Sequence, residues 1–447
     1  MSFNYYNGET MKHKIKYRIL ILIFGATFLF NSSTMAEVIQ SNDGEYVTNL
    51  TPAAPNPNTN SGLRPEYTMN PLQNFKPVAP NDTLPNLTAT SAIVIEAKTG
   101  HILYQREADK KMFPASTTKM MTLIMALEYG KLDEIVTVSN NAAGTEGSSL
   151  YLEAGEKMPL GELLYGMMML SGNDSAVAIG EHVDGNANAF ATHMTNRAKE
   201  LGAKNTNFVN PNGLPDDNHY TTAHDLAILT AHGYTLDKFE DIVSSKEKTF
   251  QWVHDPNHLL RNENQMLWLY EGGNGVKTGY TKAAGRCLVS SSKRNGVHLI
   301  AVVLDSIYLW NDSIMLLDYG FSQVESGTIV KADEIVKNVP VNSGNKKDIP
   351  VKTSGEIILP KFKATDAGTY TINYELPNVL EAPIKKGDTV GKVHVLYNDR
   401  EVAVSDIIAA DEAAAVEKKS FFSIILDNVN RITNWCKTFL SERHLLP

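Results

Sequence analysis

The chain is 447 residues long, 43% hydrophobic and 20% charged, enough apolar material for a sizeable core and enough length for two domains with linkers. A formal net charge of −9 leaves no basic surplus to neutralise phosphates, which argues against a nucleic-acid partner. The two cysteines, Cys287 and Cys436, stand far apart and outside any Cys-x-x-Cys pair, so they read as unpaired thiols without a redox or zinc role.

The first element in chain order is an export signal. Lys12, Lys14, Lys16 and Arg18 precede an apolar run over 19–30, and Thr34-Met35-Ala36 offers a small-x-Ala cleavage site. Such a run is short for a bilayer span but suits a signal-peptide core, so residues 1–36 read as a signal peptide. An uncleaved anchor is the alternative, and a start at Met11 would leave a cleaner signal. Either way the rest of the chain is expected to be exported, at the outer face of the cytoplasmic membrane on the periplasmic or cell-wall side. Residues 37–88 hold eight prolines among Asn and Thr with little periodicity, the composition of a disordered tether.

Order is expected from Ser91, with a strand over 91–96, a turn at Lys98-Thr99-Gly100 and a return strand over 102–104. Helical periodicity follows over 117–128, 160–169, 175–183, 187–201 and 223–232. Strands are predicted over 275–281, 287–291 and 297–304, the last two joined by the hairpin signal Asn295-Gly296, before a closing helix over 311–319. A strand pair, a helical middle and a strand trio describe an α+β domain over 89–325, an antiparallel sheet with a helical subdomain. Over 326–410 short strands dominate, most clearly 357–359, 370–374 and 392–396, predicting a small all-β domain. Residues 411–447 read as an acidic, alanine-rich linker and a final helix over 418–440. There Phe421, Ile425, Val429, Ile432, Trp435 and Phe439 draw one apolar stripe, widened by Phe422, Leu426 and Leu440. Asp427, Asn430, Lys437 and Ser441 fall largely outside it. With Lys418, Lys419, Arg431 and Lys437 flanking, the pattern predicts an amphipathic helix lying in a membrane interface rather than spanning it. Packing against its own domain or a partner is the alternative.

Three short motifs carry candidate chemistry. Ser116-Thr117-Thr118-Lys119 opens a helical pattern, and residues three apart share a helix face, which sets Lys119 beside the Ser116 hydroxyl. Serine becomes a competent nucleophile when a neighbouring base takes its proton. A lysine can be that base once burial or nearby cations pull its pKa well below the reference of ~10.4. A helix N-terminus also turns free backbone N–H groups toward a developing oxyanion. Taken alone, the motif reads equally as a capped helix with a surface lysine. Ser171-Gly172-Asn173 ends the apolar helix and alone reads as a cap. Lys277-Thr278-Gly279 leads a strand; its cation and hydroxyl suit a peptide carboxylate, and its glycine suits the close approach of a ligand backbone. His254 and His258 have helix-face spacing, but Pro256 between them argues against a helix and against a metal pair. Neither a metal nor a cofactor is implied.

Together, and in this order, the motifs resemble those of the serine penicillin-binding proteins and β-lactamases. The words from Phe113 to Thr122, from Met169 to Ala176, from Asn210 to Leu214 and from Val276 to Gly285 resemble more narrowly the low-molecular-mass penicillin-binding D-alanyl-D-alanine carboxypeptidases. The resemblance covers about residues 90–410 and implies the following roles. Ser116 attacks the carbonyl between two D-alanines with Lys119 as its general base. Ser171, Asn173 and Lys277 complete a proton-shuttling and substrate-holding network. Lys277 and Thr278, ahead of Gly279, grip the terminal carboxylate, and the backbone N–H groups of Ser116 and Tyr280 form an oxyanion hole. Arg261-Asn262 resembles a pair the family carries upstream of Lys-Thr-Gly, making Arg261 a candidate carboxylate contact, with a surface salt bridge as the ordinary alternative. Tyr280 stands where some relatives carry histidine. The implied substrate is a peptidoglycan stem peptide, and β-lactams are implied covalent inhibitors. A class A-like β-lactamase shares the motifs, but no Glu-x-x-Leu-Asn word lies between Asn173 and Lys277 to position deacylating water. A D,D-endopeptidase, a transpeptidase and a non-catalytic wall-binding module stay open.

Overall fold

The computed structural model describes residues 38–40, 46–48, 86–250, 252, 257–364, 368–416 and 421–442. The signal peptide, His254 and most of the tether lie outside them. Within the tether, Val38–Gln40 and Tyr46–Thr48 pair as a short antiparallel ribbon. Packing begins before Ser91. Leu87 and Ala89 are buried, and Thr88 donates its backbone N–H and its hydroxyl to the Asp312 carboxylate. No local periodicity could announce this anchor, because its partner is 224 residues away.

Two strands, β1 (Ser91–Glu96) and β2 (Ile102–Arg106), open the larger domain. Five main helices follow: α1 (Lys119–Tyr129), α2 (Leu160–Leu170), α3 (Asn173–Asp184), α4 (Ala187–Glu200) and α5 (Ala223–Gly233). The chain then returns through β3 (Gly273–Thr281), β4 (Gly285–Arg294) and β5 (Val297–Leu304) to α6 (Leu309–Gln323), which runs longer at both ends than its periodicity predicts. The sheet order is β2-β1-β5-β4-β3, antiparallel throughout. Asn295 and Gly296 both take positive φ at the β4–β5 turn, which matches the twist of the flanking strands. Two short strand pairs, Ile135–Thr137 with Lys157–Pro159 and Glu247–Phe250 with His258–Arg261, have too few residues to show a period-2 signal.

Every residue of β1 is buried, although an antiparallel strand usually shows one wet face. The reason is that both faces of the sheet are covered. Ile93, Ile95, Ile300, Val302 and Val289 join the helices α1 to α5 in one core. Val94, Leu299, Ala301, Val303 and Leu288 pack against Leu316 and Leu317 of α6 in another. The turn Ala115–Thr118 that precedes α1 sits at the margin of the first core, against β3.

The second domain is built from strands alone: β6 (Val324–Val330), β7 (Ile335–Asn342), β8 (Asp348–Thr353), β9 (Ile357–Phe362), β10 (Tyr370–Glu375), β11 (Leu380–Glu381), β12 (Thr389–Tyr397) and β13 (Arg400–Ala409). They form a sheet in the order β10-β12-β13-β8-β7-β11 and a separate pair, β6 with β9. The two domains meet through His101 of the β1–β2 connection. Its ring lies 4.1 Å from that of Phe362, and its Nδ1 is 2.8 Å from the Tyr397 hydroxyl. A last helix, α7 (Phe421–Glu442), is exposed from Ile425 to Phe439. Among the described residues, no helix is long and apolar enough to cross a membrane.

Candidate active site

Ser116 lies half-buried in a 3-10 turn, Ala115–Thr118, that runs directly into α1. Thr117 donates its hydroxyl to the Pro114 carbonyl at 2.7 Å and closes the turn. Ala115 holds φ at +48°, a left-handed conformation that costs an alanine free energy and is sustained here by the packing around it. Part of that packing is Gly213, itself at φ +92°. A Cβ on Gly213 would lie 1.9 Å from the Ala115 carbonyl oxygen, so only glycine fits behind the turn.

Lys119, one helical turn after Ser116, is fully buried. Its Nζ lies 3.0 Å from Ser116 Oγ, 2.6 Å from Asn173 Oδ1 and 2.8 Å from the Asn212 carbonyl oxygen. The Asn210–Leu214 segment, one of the words that carry the resemblance, thus belongs to the site through its Asn212 carbonyl. Thr122 reinforces the docking by donating to the Pro211 carbonyl at 2.6 Å.

The Ser171-Gly172-Asn173 motif is a junction between two helices rather than a simple terminus. Ser171 caps α2 in the left-handed region at φ 64°, and Asn173 begins α3. Gly172 is required there because the Leu150 side chain stands 2.9 Å from where a Cβ would be. Asn173 donates its Nδ2 to the Glu146 carbonyl at 2.6 Å, which turns its Oδ1 toward Lys119. Asp174, the next residue, supports the site from behind. Its buried carboxylate accepts from Ser149 Oγ and from the backbone N–H groups of Leu150 and Leu152, fixing the loop that Asn173 leans on. An acidic residue in the first turn of a helix was the available signal.

Lys277 is buried in the middle of β3, its Nζ 3.4 Å from Thr278 Oγ1. Gly279 follows and packs on the nucleophile turn. A Cβ there would lie 3.0 Å from both the Ser116 and Thr117 backbone nitrogens, so the glycine lets β3 close on the enzyme's own turn. Tyr280 follows Gly279 and is exposed. Ser116, Lys119 and Asn173 are thus linked by direct hydrogen bonds, and Gly279 sets β3 against them. Arg261 is exposed at the end of a short strand, with its guanidinium 5.3 Å from the Trp268 ring centroid.

Two buried lysines in one site shape its electrostatics. Burial, then the charge of Lys277, holds Lys119 well below the usual lysine range, against the opposing fields of Glu263 and Asp174. Burial brings Lys277 down to about 8. The arrangement sets an amine that burial and a neighbouring cation push toward its neutral form against a hydroxyl, beside a second amine still largely protonated at neutral pH. That combination suits acyl transfer to a serine from a substrate bearing a carboxylate.

A family model described as D-alanyl-D-alanine carboxypeptidase matches residues 77–307, just over half of the chain. The chain belongs to the D-alanyl-D-alanine carboxypeptidase family. A second model, the C-terminal domain of penicillin-binding protein 5, matches residues 325–415, the all-β domain. D-alanyl-D-alanine carboxypeptidase DacF of Bacillus subtilis is 36% identical over 332 residues, 72% of this chain and 85% of the relative. DacC of Escherichia coli is 31% identical over 366 residues, 77% and 88% of the two chains. The crystal structure of penicillin-binding protein 5 from Haemophilus influenzae aligns with a TM-score of 0.54 at 30% identity, covering 74% of this chain and 99% of that one. The fold is accordingly that of the penicillin-binding proteins, an α+β domain followed by an all-β one, and the enzyme is a serine-type carboxypeptidase, a cell-wall hydrolase.

The carboxypeptidase should lose stability on mild acidification. Burial lowers His219 from 6.5 to about 4, and His298 likewise to about 4. Between those values the unfolded chain binds protons that the folded one refuses, so stability is full above about pH 6.5 and falls as pH drops toward 4. His219 alone accounts for on the order of 3 kcal/mol across that window. Thermal melts from pH 7 to pH 4.5 should show a falling Tm. A flat profile would mean that both imidazoles take up protons without cost in the fold.

Proposed function

We propose that Ser116 is the acylated nucleophile of this carboxypeptidase and Lys119 the base that activates it. One observation carries the reading. A neutral lysine amine has two hydrogens and one lone pair. Asn173 Oδ1 and the Asn212 carbonyl can only accept, so they take the two hydrogens. Ser116, 3.0 Å from Nζ, alone among the three partners can also donate, so once Lys119 is neutral its O–H turns to the lone pair. Attack of Oγ on the carbonyl between the two D-alanines then passes the hydroxyl proton to Lys119. The bond to the terminal D-alanine breaks, and that residue leaves as the free amine after taking the proton back. Water, activated in the same way, hydrolyses the ester and restores Ser116. Ser171 completes the proton network, and the backbone N–H groups of Ser116 and Tyr280 hold the oxyanion. A β-lactam acylates the same serine.

Lys277 and Thr278 are assigned to the carboxylate of the terminal D-alanine. Its amidation should lower kcat/KM by about 10- to 100-fold, the worth of a charge-assisted hydrogen bond. The measurement is D-alanine or D-alaninamide release from a muramyl pentapeptide and its amide. Equal rates on the two would shift the assignment to a D,D-endopeptidase.

The enzyme is further assigned to the outer face of the cytoplasmic membrane, held through α7. Ile425, Val429, Ile432, Trp435 and Phe439 are exposed along it, and Trp435 stacks on Phe439 at 5.4 Å. An apolar stripe exposed at Ile425, Val429, Ile432 and Trp435 suits the interfacial zone of a bilayer. Protein lacking residues 418–447 and the signal should stay soluble when sedimented with anionic liposomes, whereas signal-cleaved protein retaining α7 should pellet. Equal sedimentation of the two would move the anchor elsewhere.

A further inference from the structure

His219 lies outside the three motifs, yet it is buried directly behind the nucleophile turn. Its Nδ1 accepts the backbone N–H of Val209 at 3.1 Å. That assigns the ring proton to Nε2, which stands 2.8 Å from Thr118 Oγ1. Both ring nitrogens are therefore in use, one as acceptor and one as donor, and only the neutral imidazole can serve both. The Phe208 ring, 5.6 Å away and edge-on, walls the imidazole in.

The two partners of His219 belong to the two pieces that set the Ser116–Lys119 geometry. Thr118 lies between those residues in the turn. Val209 leads into Asn210–Leu214, the segment whose Asn212 carbonyl accepts from Lys119 and whose Gly213 backs Ala115. The segment is folded on itself by Asn210, whose Oδ1 accepts from Gly213 N–H at 2.7 Å. Lys119 and Thr122 hold its Asn212 and Pro211 carbonyls, and the imidazole ties its base at Val209 to Thr118 of the turn.

We infer that His219 is a positioning residue for the acylation step, a neutral cross-brace that fixes the Ser116–Lys119 turn against the segment bearing the Asn212 carbonyl. It touches neither substrate nor the reacting atoms. It acts through Thr118, by donating the bond that sets the rotation of the turn and hence the direction of the Ser116 hydroxyl. Small misplacements of a nucleophile cost as much as about 100-fold in rate. A residue that only stabilised the fold would lower the melting temperature and leave the acylation rate of the folded protein alone.

The inference rests on Ser116 being the acylated residue, which mapping the penicillin-labelled peptide of the wild-type protein decides separately. The test compares His219→Ala, His219→Asn and His219→Gln for the first-order rate of acylation and the preceding dissociation constant with a fluorescent penicillin. Measurements are made well below each melting temperature. Glutamine puts an N–H near the place of Nε2 and keeps the bond to Thr118; asparagine puts an acceptor near the place of Nδ1 and keeps only the bond from Val209. His219→Ala and His219→Asn should acylate about 10- to 100-fold more slowly with the dissociation constant unchanged, and His219→Gln should recover most of the rate. A folded His219→Ala protein that acylates at the wild-type rate would overturn the inference. So would equal rates for the asparagine and glutamine variants, a comparison that still decides the matter if the alanine variant does not fold.

Discussion

A Ser116→Ala protein should fold normally and take no covalent label from a fluorescent penicillin. The side chain removed is half-buried and makes a single hydrogen bond, to Lys119 Nζ, so the fold loses little when it goes. The reaction loses its nucleophile. In serine hydrolases that loss costs about 10⁶-fold in turnover, because the residual site can bind substrate but cannot form the acyl-enzyme. Mass spectrometry of the intact protein after exposure to benzylpenicillin gives the answer directly. Labelled Ser116→Ala protein would move the nucleophile elsewhere; unlabelled protein with an unchanged circular dichroism spectrum would show that chemistry, not folding, was removed.

Lys119→Met should slow acylation by about 10² to 10⁴-fold, the range expected when a positioned general base is lost. The pH dependence adds a second readout with a defined sign. Lys119 must be neutral to accept the serine proton, so kcat/KM should rise with pH through its lowered pKa and lose that acid limb in the variant. Lys277 must be protonated to attract a carboxylate, so kcat/KM should fall again as pH passes about 8. Because the charge of Lys277 is one cause of the lowering at Lys119, the two limbs belong to a coupled pair. Lys277→Arg keeps the cation at high pH and should push the alkaline limb upward. An alkaline limb that stays near pH 8 in that variant would mean another group is titrating.

Much of the site was legible from local spacing, because a helix turn places residues three apart side by side whatever surrounds it. Lys119 beside Ser116 is such a case, and the 3-10 turn only tightened it. The strands β3, β4 and β5 and the Asn295-Gly296 turn were legible for a similar reason, since period and turn chemistry are written in consecutive residues. Other features were not, for want of a local trace. The stacking of Arg261 on Trp268 depends on the short helix Met266–Leu269, which no local period announces. The packing of Gly279 on the Ser116 turn likewise needed the position of β3 against α1.

The sequence by itself determined the order and identity of the three motifs, the α+β arrangement followed by an all-β domain, and the apolar stripe of the final helix. Each is a statement about residues near one another in the chain or about composition over a window. The tertiary structure alone decided that both lysines are buried, and burial is what brings their amines toward neutrality. It also supplied the partners that fix the direction of each proton: Asn173 at 54 residues from Lys119, Asn212 at 93, and His219 at 101 from Thr118. Contacts at such separations are set by how helices and sheet pack around a shared core. No periodicity of the chain encodes which carbonyl will end up facing a buried amine.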